Sequence, residues 1–341
     1  MSGAVDLRRG ARGESVRDLQ GRLAALGHVI DDDLACFGEA TEGAVRAFQD
    51  TRGLVVDGVC GTETWTALVE SSFTLGDRLL YLRRPMIRGD DVGELQHRLN
   101  RLGFDARRED GILGERTAHA VSELQRNTGL AVDGICGPAT LATLGRVGSL
   151  ASGSVATVRE REQLRRGPRQ LAGQRVYLVA APGFEAVGAA AGRALSDVGA
   201  VNLLDTTGDD DAEIAAAANR FGADLLLALR SASTTVCGCA YFASRAFRSE
   251  AGHRVAGTLT DELATVLDAL ELPHGRTSRI LRETRMAAVV CELAPRDDVA
   301  AMRRVVERSG DVGHAVARGV RRAVEEPPPD ATPPKGTSGR A

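Results

Sequence analysis

The chain has 341 residues, of which 43% are hydrophobic and 26% charged. That is longer than one compact domain usually runs and too apolar for wholesale disorder. Its 43 basic residues, all arginine except Lys335, face 46 acids, and aromatics make up 4%; no nucleic-acid partner is expected, for want of a basic face and of stacking platforms.

Six cysteines are too sparse for a disulfide scaffold at this length. No apolar run of about 18 residues predicts a membrane span, and the opening MSGAVDLRRGARGES holds no signal-peptide-like stretch. The expectation is a cytoplasmic protein, with non-classical export left open.

Residues 12–68 and 88–144 superimpose without a gap at an offset of 76. Val16, Leu19-Gln20, Leu23 and Leu26-Gly27 match Val92, Leu95-Gln96, Leu99 and Leu102-Gly103; Thr41, Ala44-Val45 and Gln49 match Thr117, Ala120-Val121 and Gln125. Val56-Asp57-Gly58, Cys60-Gly61, Thr64 and Leu68 match Val132-Asp133-Gly134, Cys136-Gly137, Thr140 and Leu144. Val16, Leu19, Leu23 and Leu26 form the stripe of an amphipathic helix that Gly27 ends. Ala44, Val45 and Phe48 mark a second helix stopped by Gly53, and Asp57-Gly58 a turn. A third helix carries Thr64, Trp65 and Leu68, with Pro138 suited to its first turn in the second unit. Each unit, spanning 8–72 and 84–147, is thus a small all-α three-helix module, with Cys60 and Cys136 as buried hydrophobes.

These residues resemble the peptidoglycan-binding type 1 domain, whose pattern runs V..LQ..L..LG and then FG..T..AV..FQ...GL..DG..G..T...L. The resemblance implies recognition of peptidoglycan fragments, with Asp57, Thr64, Asp133 and Thr140 as candidate ligand contacts. Read from chemistry alone, the same four residues are caps and turn formers, and the module serves equally as a protein-contact surface.

Residues 148–173 read as a solvated linker, with alternating charges in REREQLRRGPRQ. From Gln174 the periodicity changes. Strands are predicted at 176–181, 201–204, 224–229, 236–242 and 287–293, and helices at 184–198, 211–221, 251–270, 299–306 and 312–324. Strands apolar throughout, alternating with helices, predict an α/β domain over 174–324 with a mainly parallel sheet covered on both faces. The tail 325–341 is rich in Pro, Gly and small polar residues and reads as disordered, with Thr332 and Thr337 accessible to phosphorylation.

Ala181-Pro182-Gly183-Phe184-Glu185, Leu227-Ala228-Leu229-Arg230-Ser231 and Val290-Cys291-Glu292-Leu293-Ala294 together resemble a degenerate N-acetylmuramoyl-L-alanine amidase type 3 domain. Ala181-Pro182-Gly183-Phe184-Glu185 stands where that family has Asp-Pro-Gly-His-Gly. Leu227-Ala228-Leu229-Arg230-Ser231 stands at its hydrophobic-Ser-hydrophobic-His strand end, and Val290-Cys291-Glu292-Leu293-Ala294 echoes its Val-Glu-Leu-Gly-Phe. His274-Gly275-Arg276-Thr277, Leu281-Arg282 and Thr284-Arg285-Met286 resemble the approach to the last core strand.

By that resemblance zinc needs two imidazoles and a carboxylate, and Phe184 and Arg230 occupy the two imidazole positions. Phenyl has no lone pair to donate and guanidinium cannot be deprotonated; a cation about 4 Å from the metal is repelled by several kcal/mol. Glu292 matches the acid/base position without a metal-bound water to act on. Glu185 sits too close to the following helix to replace the carboxylate ligand. His253, His274 and His314 are scattered, and Cys237-Gly238-Cys239 is a lone close pair, so no cofactor is expected.

Actinobacterial chains with this domain order include cytoplasmic regulators of cell-wall precursor synthesis. The resemblance therefore implies a non-catalytic, amidase-like regulator with a protein partner. Two alternatives remain at this stage, an active amidase with a rebuilt zinc site and a wall-associated structural binder.

Overall fold

The computed structural model describes residues 6–148, 170–208, 210–235, 237–244, 247–267 and 270–326. The expected linker 148–173 lies mostly outside these residues, as do the tail beyond Glu326 and with it Thr332 and Thr337.

The first half contains α1 (Glu14–Ala25), α2 (Glu39–Arg52) and α3 (Thr62–Glu70), then α4 (Asp90–Arg101), α5 (Glu115–Thr128) and α6 (Pro138–Gly148). Val16, Leu19, Leu23, Val45, Phe48 and Leu68 close one core around Cys60, and their counterparts Val92, Leu95, Leu99, Val121, Leu124 and Leu144 close the other around Cys136. Gly53 ends α2 and Gly129 ends α5 in the left-handed conformation, at φ 61° and 71°, which costs glycine nothing and other residues about 1–2 kcal/mol.

The turns between helices have little regular structure, and four buried glutamines satisfy them. Gln49 donates to Asp57 Oδ1 at 2.8 Å, the Val59 carbonyl at 3.0 Å and Thr64 Oγ1 at 3.1 Å, and accepts the Gly58 N–H at 2.9 Å. Gln125 repeats this with Asp133, Ile135, Thr140 and Gly134. Gln20 and Gln96 do the same for the turns ahead of α2 and α5, each reaching a buried threonine, Thr41 or Thr117. A buried carboxamide must fill its donors and its acceptor, so each glutamine pins one turn to its helix.

The second half runs β1 (Arg175–Ala180), α7 (Glu185–Asp197), β2 (Val201–Asp205), α8 (Asp211–Phe221), β3 (Leu225–Ala232), β4 (Cys237–Phe242), α9 (Glu250–Leu263), β5 (Leu270–Arg276), α10 (Arg279–Glu283), β6 (Ala287–Pro295), α11 (Val299–Glu307) and α12 (Ser309–Glu325). The strands order as β2-β1-β3-β6-β4-β5. All neighbours are parallel except β4 and β6. One face, with Leu178, Leu227, Val289 and Cys291, packs under α7, α9 and α12. The other, with Tyr177, Ala228, Ala240 and Val290, packs under α8 and α10.

Two features differ from the sequence expectation. The long helix expected to Leu270 stops at Leu263, and Leu270–Arg276 forms an edge strand. Pro273 is tolerated there because an edge strand leaves one row of N–H groups unpaired. The α10 turn then occupies part of the stretch expected only to lead into the last strand.

Candidate functional site

In parallel α/β sheets, ligand-binding groups gather where the strands end. Here β3 and β6 end in register with Arg230 opposite Glu292, and Gly238 of β4 flanks Glu292 on its other side. Both side chains stand on the face that carries α8 and α10. Arg230 Nη1 lies 3.3 Å from Asp211 Oδ1 at the first turn of α8. Glu292 is buried, its side chain 3% exposed, and its Oε1 accepts from Arg276 Nη1 at 2.7 Å. Arg276 comes from β5, so the pair reaches across β4, which lies between β5 and β6. Glu292 Oε2 and His274 Nε2 are buried with no hydrogen-bond partner among the described residues. Burial, then the charge of Arg276, lowers the His274 pKa against the opposing pull of Glu292, so the ring stays neutral near pH 7.

Phe184 is not part of this group. It immediately precedes α7, is fully buried, and packs with Leu178, Val187 and Leu229 on the opposite face. Glu185, the first residue of α7, accepts the Gly183 N–H at 2.9 Å. The other histidines are apart: His253 stacks edge-on against Tyr241, and His314 bonds the Gly310 carbonyl. Among the described residues no three or more His, Cys, Asp or Glu side chains are grouped to hold a metal ion.

Asp57, Thr64, Asp133 and Thr140 fall in two separate modules and are engaged internally. Thr64 and Thr140 are buried against Gln49 and Gln125. Asp57 and Asp133 each accept a backbone N–H two residues on, at 2.8 Å, besides the glutamine amide. The Ile135 N–H, then Gln125, holds the Asp133 carboxyl below its ordinary range.

A second arrangement was not foreseen from the sequence. The segment from Gly275 to Thr284 is where both helical modules meet the α/β domain. The Thr277 N–H donates to the Gly53 carbonyl at 3.0 Å, and Thr277 Oγ1 to the Arg52 carbonyl. A Cβ on Gly53 would stand 3.3 Å from the Gly275 oxygen. Arg282 clamps Glu70 with two nitrogens, one at 3.1 Å, and Arg88 pairs with Glu283. Arg108 donates to the Thr284 carbonyl at 2.7 Å and lies over the Phe242 ring at 4.5 Å.

Glu63 of α3 extends the same seam toward Arg230. It accepts the Arg279 N–H at 3.2 Å and interacts with Asp211 and Arg230. Burial, then the charge of Asp211, raises its pKa. The first module therefore rests against the end of the sheet where Arg230 stands. The only advance signal of this seam is the density of arginine and threonine in HGRTSRILRETR.

Residues 12–68 and 88–144 match the family described as "Putative peptidoglycan binding domain". Over 332 residues the chain is 34% identical to N-acetylmuramoyl-L-alanine amidase CwlM of Mycobacterium tuberculosis, covering 84% of this chain and 81% of that one. The chain belongs to the CwlM family of N-acetylmuramoyl-L-alanine amidases. The chain is also 33% identical over 160 residues to a probable N-acetylmuramoyl-L-alanine amidase of Bacillus licheniformis, covering 42% of this chain and 45% of that one. Among solved structures, the Ami1 amidase of Mycobacterium smegmatis covers 46% of this chain and 98% of its own, at 15% identity and a TM-score of 0.38.

Proposed function

We propose that this CwlM-family chain is a pseudo-amidase that regulates cell-wall precursor synthesis in the cytoplasm through protein contacts, with peptidoglycan fragments as candidate ligands of its helical modules. One observation carries the reading. Arg230, which the resemblance to type 3 amidases sets at a ligand imidazole, is tied to Asp211 and shares its surroundings with Glu63. A permanent cation there repels a divalent ion, and Phe184 is turned into the core on the other face.

Zinc therefore does not fit the residues present. Glu292 Oε1 is held in an ion pair by Arg276. The seam between modules and sheet supports the same reading, because the first module sits against the end of the sheet that a glycan strand would have to reach. Among the described residues no helix is long and apolar enough to cross a membrane.

The relatives are named as N-acetylmuramoyl-L-alanine amidases, which favours a second reading, a zinc-dependent N-acetylmuramoyl-L-alanine amidase. Incubating the full chain with purified peptidoglycan separates the two. The pseudo-amidase releases no stem peptide in added zinc and is captured from native lysate with an enzyme of precursor synthesis; stem-peptide release above a heat-killed control overturns it.

A further inference from the structure

Cys239 of β4 and Cys291 of β6 lie directly opposite each other in the antiparallel pair, both fully buried, with their sulfur atoms 3.4 Å apart. Directly opposed positions in such a pair bring Cβ atoms to about 4.5–5.5 Å. A disulfide asks for a Cβ separation of about 3.5–4.5 Å and an S–S bond of about 2.05 Å. The thiols are thus already aimed at each other, and closure needs only a small approach of two neighbouring strands. Cys237, two residues earlier on β4, is offset from Cys291 and is the one member of the group with any exposure, at 7%.

We propose that Cys239 and Cys291 form a reversible disulfide site, oxidised by a peroxide, that staples β4 to β6 beside Glu292. One sulfur, as thiolate, attacks the O–O bond of the peroxide and takes one oxygen as a sulfenic acid, and the leaving oxygen departs protonated. The second thiol then displaces that oxygen as water and makes the S–S bond. With hydrogen peroxide, two thiols and one peroxide give one disulfide and two waters; the sulfurs lose two electrons and the O–O bond gains them.

Hydrogen bonding to Cys239, then burial, pushes the Cys291 thiol well up. Oxidation is accordingly slow in the closed fold and proceeds through local opening of β4. The same burial shelters the bond from reductants once it has formed. The staple joins the two strands that carry Glu292 and its neighbour Gly238, so oxidation stiffens the end of the sheet where Arg230 stands.

The test uses the full chain in two arms. One arm is treated with hydrogen peroxide while folded. The other is unfolded in urea with reductant and refolded in a glutathione redox buffer, which removes access as an obstacle. Free thiols are alkylated and the digest is mapped unreduced by mass spectrometry.

The expected result is a peptide containing Cys291 linked to the one containing Cys237 and Cys239. That link persists in Cys237→Ser, disappears in Cys239→Ser, and is reversed by dithiothreitol. The melting temperature of the oxidised Cys237→Ser chain rises and falls back on reduction. Cys291 recovered alkylated from the refolded arm overturns the proposal, and so does a link that vanishes in Cys237→Ser.

Discussion

The ion pair between Arg276 and Glu292 has the more exposed side chain only 9% accessible, at 2.7 Å. At an effective dielectric near 20, two unit charges at this distance attract by about 6 kcal/mol. Desolvating the two ions costs several kcal/mol each, so the intact pair contributes little net stability. Removing one partner is different. Arg276→Met leaves a buried carboxylate whose Oε2 already has no partner, and it is predicted to cost about 3–5 kcal/mol.

Combining Arg276→Met with Glu292→Gln removes both charges and is predicted to recover all but about 1–2 kcal/mol, since a neutral buried amide is far cheaper than a lone ion. Urea unfolding followed by far-UV circular dichroism gives both values. Trp65, the only tryptophan, reports the first module separately. A single substitution costing under about 1 kcal/mol, or a double variant equal to the sum of its singles, would refute the buried-pair reasoning.

Gly53 and Gly129 make a matched pair, both at positive φ, but only Gly53 touches the α/β domain. Alanine at either is predicted to cost about 1 kcal/mol from backbone strain. Only Gly53→Ala should also raise hydrogen exchange across residues 275–285; equal exchange in the two variants would show that the seam does not depend on this approach. The raised pKa of Glu63 means the docked state holds a proton that the undocked state releases as pH rises through the ordinary glutamate range. Its stabilisation is therefore present at low pH and lost toward neutrality. Exchange at the seam should be slower near pH 5 than near pH 7 after correction for intrinsic rates, and Glu63→Gln should remove the difference. A wild-type seam indifferent to pH contradicts this.

Much of the helical half was legible because its signals are local. The leucine stripes and the glycines at 53 and 129 act within one module, and each appears twice. The glutamines stood out as repeated positions, but their role as turn pins became visible only when both ends of each hydrogen bond could be seen.

In the α/β half, the buried strands declared themselves through unbroken apolar runs. The strand at 270–276 did not, because LELPHGR is an edge strand with polar residues and a proline. Arg276 was legible as part of a motif but not as the counter-ion of Glu292, since the two meet across an intervening strand. The seam was illegible for a related reason. Arg282 and Glu70, or Arg108 and Thr284, are far apart in sequence, and no periodicity links them.

The metal content of the purified full chain tests the pseudo-amidase claim most directly. After saturation with zinc and gel filtration, the chain is predicted to retain far less than one zinc, with Arg230→Ala no better because Phe184 still supplies no donor. One tightly held zinc per wild-type chain, displaced by a chelator, would contradict it.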